Sequence, residues 1–169
     1  MTTSTPETHH LPDDSAAPQF RPDIYFVYSH AASLIAFSGG AGLSRIAPGT
    51  VGTLVAFPLF WWLNHYLNPV YFLLLIDIMF IVGIWACGLC GKALGDPDHG
   101  GMVWDETVAF LLVLYFTPDE WTWQLAAFIL FRFFDIAKPQ PIRYYDNRLT
   151  GGFGVMFDDM VAAFFTLLC

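Results

Sequence analysis

Five carboxylates fall where long apolar runs begin or end: Asp105 and Glu106, Asp135, and Asp158 with Asp159. They belong to three separate runs, so a fold that brings those ends together gathers the acids at one level. Such an oxygen-rich set suits a hard divalent cation. Mg²⁺ prefers near-octahedral oxygen, keeps several waters, and takes one or two carboxylates plus substrate phosphate. Without a cation these acids repel one another and some hold protons. Favourable charge at a helix N-terminus is the plainer account of Asp105 with Glu106 and of Asp158 with Asp159. It does not account for Asp135, which closes a helix where the dipole disfavours an anion. All five are candidate metal ligands, and Asp105, Glu106 and Asp159 are candidate catalytic groups.

Cations share this rim. The chain has seven Lys and Arg residues, and all but Arg21 fall near the same ends of the apolar runs. Arg132, Asp135 and Lys138 stand at i, i+3 and i+6, which makes Arg132 a natural ion-pair partner of Asp135. In Lys138-Pro139-Gln140-Pro141-Ile142-Arg143 two prolines stop the helix and stiffen the backbone. A rigid loop presenting Lys138 and Arg143 is a phosphate clamp or, more plainly, a lipid-headgroup anchor. Ala47-Pro48-Gly49-Thr50-Val51-Gly52-Thr53 runs from a loop into a helix with Arg45 behind it. Its amides and the Thr50 hydroxyl are a second candidate phosphate site. Gly151-Gly152-Phe153-Gly154 precedes the last run in the same way, with helix entry as the ordinary reading. His99 is a possible acid, base or ligand. Ser44, Thr50 and Thr53 have no paired histidine to activate them as nucleophiles. Cys87 and Cys90 have CxxC spacing, but inside an apolar run they read as small helix residues.

The elements that must position these groups are apolar helices. The chain of 169 residues is 56% hydrophobic and only 13% charged, about half the charge of an ordinary soluble domain. This points to an all-α, polytopic membrane bundle in one domain over 23–169. Residues 1–22 read as a disordered acidic tail. They lack the basic and apolar regions of a cleaved signal peptide. No basic patch with interleaved aromatics is present, which argues against nucleic acid. An apolar stretch over 24–37 suits an interfacial helix and is broken by Gly39-Gly40-Ala41-Gly42. Runs over 51–67 and 70–90 form a membrane hairpin around Asn68-Pro69. Further helical runs follow over 103–116, 121–137 and 155–169, separated by a polar loop over 91–101, a turn at 117–120 and a polar loop over 138–154.

Alternating the direction of these runs puts every strongly basic loop on one side, as the positive-inside rule expects of the cytoplasm. The active site then lies at the cytoplasmic ends of the helices. The runs over 103–116 and 155–169 are short for a hydrocarbon core of about 30 Å, so they are expected to tilt or pack inside the bundle. Asp77 falls within the second run, far from the other acids by this parity. It reads as a residue near the outer interface, although an intramembrane carboxylate is a functional candidate by default.

The motifs Gly42-Leu43-Ser44 through Ala47-Pro48-Gly49-Thr50-Val51-Gly52-Thr53-Leu54, then His99-Gly100 to Val103-Trp104-Asp105-Glu106, then 131–143 from Phe131-Arg132 to Ile142-Arg143, then Asp146, then Gly151 through Asp158-Asp159 occur in this order. Together they resemble the phosphatidylglycerophosphatase A family over about residues 38–165. The resemblance implies an all-helical, Mg²⁺-dependent phosphatase of the bacterial inner membrane. It would convert phosphatidylglycerol phosphate to phosphatidylglycerol. The family's acidic motifs map onto Asp105, Glu106, Asp135, Asp158 and Asp159, and its basic loop onto Lys138 and Arg143. Two departures stand out. Ala137 replaces an expected aromatic, and the chain stops at Cys169, so the last helix is expected to be an incomplete crossing.

The expected chemistry is phosphomonoester hydrolysis by direct attack of water. Arg45, Lys138 and Arg143 offset phosphoryl charge, and Asp159 or Glu106 acts as base. Neither the Asp-x-Asp signature of aspartyl-phosphate enzymes nor a Cys-x5-Arg loop is present. Two rivals are a cytidine-diphosphate-alcohol phosphotransferase, for which the adjacent Asp158 and Asp159 are wrongly spaced, and a small cation carrier, for which only Asp77 lies at depth.

Overall fold

The computed structural model describes residues 22–138 and 151–169. The tail expected over 1–22, apart from Pro22, and the stretch 139–150 with Arg143, Asp146 and Arg148 lie outside the described residues. Every regular element among the described residues is helical.

Two short helices, α1 (Ile24–Ser29) and α2 (Ala31–Ala36), replace the single stretch expected over 24–37. Asp23 caps α1 by accepting from the Phe26 amide at 2.9 Å, and extended backbone at His30 separates the pair. A 3₁₀ segment (Ser38–Leu43) then turns the chain through Gly39 and Gly40 at φ 70° and 110°, a region glycine enters without penalty. Helix α3 (Pro48–Tyr66) starts on a proline, whose missing N–H costs nothing at that position. Helix α4 (Pro69–Leu94) is capped by Asn68, which accepts from the Tyr71 amide at 3.0 Å, and ends at left-handed Gly95. Helices α5 (Trp104–Phe116), α6 (Trp121–Ala137) and α7 (Gly151–Leu168) complete the bundle.

Helix α5 is the central post. It packs against α3, α4, α6 and α7, and its Val108, Phe110, Leu111, Val113 and Leu114 are fully buried. At 13 residues it spans only about 20 Å, which agrees with the expectation that this run packs inside the bundle. The runs expected to form a hairpin do follow one another as α3 and α4, yet they touch little. Helix α3 lies mainly on α5, and α4 on α2 and α7. Small residues decide this: Gly52 of α3 sits against Val103, and Gly152 of α7 sits against the Ile84 carbonyl and Gly88 of α4. The last helix also begins four residues before the expected Val155. Asp158 and Asp159 therefore stand two turns inside α7 and do not open it, which removes helix-terminus charge as their explanation.

Two helices, α4 and α7, are long and apolar enough to cross a membrane. Exposed aromatics cluster at one end of the bundle: Trp61, Trp62 and Tyr66 at the end of α3, Tyr71 at the start of α4, Phe116 at the end of α5, and Trp121 and Trp123 at the start of α6. Such belts occupy membrane–water interfaces. The five candidate carboxylates sit at the opposite end.

Candidate metal centre and active-site cavity

The start of α5 is held from three sides. The Val103 amide donates to the Ala36 carbonyl at 2.8 Å. The Trp104 indole donates to the Met79 carbonyl at 3.0 Å, and Thr107 donates to the Gly52 carbonyl at 3.0 Å. These contacts fix Asp105 and Glu106 in the first turn. Across from them, the close approach of Gly152 to α4 turns Asp158 and Asp159 inward. Asp105, Asp158 and Asp159 are each at most 7% exposed. One oxygen from each of Asp105, Glu106 and Asp159 lies within 4.8 Å of the others. Asp105 Oδ1, Glu106 Oε2 and Asp159 Oδ2 are buried and have no hydrogen-bond partner among the described residues.

Buried, unsatisfied carboxylate oxygens are costly. Burial, with Asp98 and Asp135 nearby, pushes the Asp105 carboxyl up to about 8. Glu106 is raised well above the usual carboxylate range by burial and by Asp105 and Asp135, partly offset by Arg132. A divalent cation among these three groups removes both penalties, and the all-oxygen donor set fits Mg²⁺.

The other two candidate ligands line the same cavity but carry cation partners. Asp135, in the last turn of α6, pairs with Arg132 as expected. Arg132 also reaches Glu106 Oε1 at 3.5 Å and Thr53 Oγ1 at 3.4 Å, so one guanidinium ties α6 to α3 and α5. Asp158 pairs with Lys138, which caps α6 in a left-handed conformation. The cavity, about 430 Å³, is walled by all five carboxylates, by Lys138, and by Gly151 and Gly154. It is thus built from the ends of α6, the starts of α5 and α7, and the loop after α4, the shared level that parity requires.

Arg45 is exposed on the loop before α3, and Thr50 is half-buried in its first turn; neither lines the cavity. Gly49 approaches it more closely. A Cβ there would collide with Glu106 Oε1 and come within 3.1 Å of Arg132 Nη2. Asp96 and Asp98 also wall the cavity, and sequence reasoning passed over them. The signal available was their position in the polar loop just before Asp105. His99 does not line the cavity. Its Nδ1 accepts from the Gly101 amide at 3.0 Å, a turn-forming role. Cys87 and Cys90 are buried free thiols, and Asp77 is exposed on α4.

Comparison with known proteins meets this geometry. The family model for phosphatidylglycerophosphatase A matches residues 34–169. The chain is 44% identical to phosphatidylglycerophosphatase A of Haemophilus influenzae, covering 80% of this chain and 83% of that protein. It is 41% identical to phosphatidylglycerophosphatase A of Escherichia coli, covering 76% of this chain and 75% of that protein. A Bacteroides thetaiotaomicron protein with the provisional name phosphatidylinositol-3-phosphatase is 38% identical, over 80% of this chain and 88% of that protein. No solved structure matches.

Proposed function

The chain belongs to the phosphatidylglycerophosphatase A family, and we propose that it removes the terminal phosphate of phosphatidylglycerol phosphate to give phosphatidylglycerol, with Mg²⁺ as cofactor. The observation that carries this reading is the clustered trio of Asp105, Glu106 and Asp159, each with one buried oxygen that has no hydrogen-bond partner among the described residues. These three would hold the ion, with Asp135 and Asp158 alongside. When bound, a divalent cation neutralises phosphoryl charge and makes a water acidic enough to act as nucleophile.

The chain's own residues do the rest. Lys138 stands at the cavity wall as a cation for the phosphoryl oxygens, and the family's basic motif assigns Arg143 the same role. Glu106 or Asp159 accepts the proton of the attacking water. The water oxygen bonds to phosphorus, the ester oxygen leaves, and that proton returns to it, so lipid alcohol and inorganic phosphate are released. Arg132 bridges Glu106 and Asp135 and orients both. The basic ends of α4 and α6 share the cavity's end of the bundle, which supports a multi-pass protein of the bacterial inner membrane with its site toward the cytoplasm.

The deciding assay is phosphate release by the purified protein in lipid–detergent micelles, with Mg²⁺ or chelator, across a panel of phosphomonoester lipids. Release from phosphatidylglycerol phosphate that is abolished by chelator is expected. Preference for phosphatidylinositol 3-phosphate would overturn the substrate assignment. Full activity in chelator would overturn the metal assignment.

A further inference from the structure

A second groove, of about 510 Å³, runs beside the catalytic cavity and shares Pro97 and Gly151 with it. Its wall also includes Cys87, Gly88, Gly91, Lys92 and Gly152. It therefore lies between the end of α4 and the start of α7, the two helices suited to cross a membrane. Small residues there serve helix packing and alone say nothing about a ligand. Two other observations do.

Lys92 is exposed and is the one charged side chain in the groove's wall among the described residues. It makes no ion pair among the described residues. Below it on α4, Ile81 and Trp85 are 64% and 52% exposed. They stand eleven and seven residues before Lys92, on the same helical face. This apolar ladder runs about 16 Å down the helix and ends at a lysine. The pattern matches a phospholipid in outline: acyl chains along the ladder, and an anion at the ammonium. In phosphatidylglycerol phosphate a glycerol unit separates the terminal phosphomonoester from a second, diester phosphate. If the carboxylate cavity takes the first, the adjoining groove is within reach of the second.

We infer that this groove is the subsite for the diester phosphate of the lipid substrate, with Lys92 as its counter-ion and Ile81 and Trp85 as the acyl-chain track. The inference rests on the phosphatase reading of the neighbouring cavity. The test is steady-state kinetics of the full chain with phosphatidylglycerol phosphate and Mg²⁺, using phosphatidylglycerol as a competitive inhibitor. This inhibitor keeps the diester and lacks the terminal phosphate. Lys92→Gln should raise both KM and the inhibition constant about tenfold, the scale of one charge-assisted contact, with kcat changed less than twofold. Lys92→Arg should stay near wild type. Quenching of tryptophan fluorescence by brominated phosphatidylglycerol reads the same binding without turnover and should weaken in parallel. Unchanged binding in Lys92→Gln, or a fall in kcat alone, overturns the subsite. A wild-type protein that binds phosphatidylglycerol through Lys92 but releases no phosphate overturns the phosphatase reading and leaves the subsite standing.

Discussion

Replacing Gly49 with alanine adds one methyl group and alters no charge. The new Cβ would overlap Glu106 Oε1 and press on Arg132 Nη2 at 3.1 Å. Glu106 is a flexible side chain, so it can swing aside while the backbone stays in place. Such overpacking costs about 1–3 kcal/mol, and alanine in a helix returns about 1 kcal/mol over glycine. The net loss is at most about 2 kcal/mol, or roughly 4–8 °C in Tm for a chain of this size. The effect on chemistry is far larger, because a shift of about 1 Å in a positioned catalytic group costs on the order of 100-fold. We therefore expect Gly49→Ala to remain folded and to lose about two orders of magnitude in phosphate release. The assay pairs a thermal melt in detergent with a Mg²⁺ titration of activity. A double variant sharpens it: Gly49→Ala added to Glu106→Gln should cost little more than Glu106→Gln alone, since both act through one carboxylate. Wild-type activity and Mg²⁺ dependence in Gly49→Ala, or full additivity in the double variant, would refute the placement of Glu106 in the site.

Other outcomes follow from the same geometry. Asp159→Asn should cut Mg²⁺-dependent phosphate release by about 100- to 1,000-fold while preserving helix content by circular dichroism, on the scale of removing a main electrostatic stabiliser; near-normal turnover would remove Asp159 from the metal set. Arg132→Gln strands Asp135 and Glu106 in a partly buried place, so it should lower unfolding free energy by about 3 kcal/mol as well as activity, and an unchanged Tm would show that the guanidinium does not hold the helices together. The raised carboxyls of Asp105 and Glu106 bind protons more tightly folded than unfolded, so in chelator their contribution is fully present below the ordinary carboxylate range and is lost as pH rises through the folded values, toward about 8 for Asp105. Tm in chelator should therefore fall across that window, and saturating Mg²⁺ should flatten the profile; a chelated protein that becomes more stable with rising pH would contradict the crowding of these acids.

Much of this site was legible because charge is scarce in the chain. Asp105, Asp135 and Asp159 stood out at the ends of apolar runs, and run parity placed those ends together. The i, i+3 spacing of Arg132 and Asp135 likewise gave their ion pair. What escaped notice was backbone-level. Gly151, Gly152 and Gly154 look like helix breakers, yet Gly152 lies within α7 because a side chain there would strike the Ile84 carbonyl. Gly49 looked like part of a phosphate loop, and its contact with Glu106 depends on how α3 crosses α5, which periodicity does not report. Asp96 and Asp98 were hidden by an ordinary-looking polar loop. The α3–α4 hairpin around Asn68-Pro69 was legible, but its splayed arms were not, because close approach through Gly52 and Gly152 gave each helix other packing partners.

The division of donors among helices has a consequence for biogenesis. Asp105 and Glu106 come from α5, but Asp159 comes from α7, which is synthesised after it. A nascent chain halted after α6 holds only two of the three clustered carboxylates, those of Asp105 and Glu106. Assembly of the cluster thus coincides with docking of α7, so the trio forms only once that helix has joined the bundle.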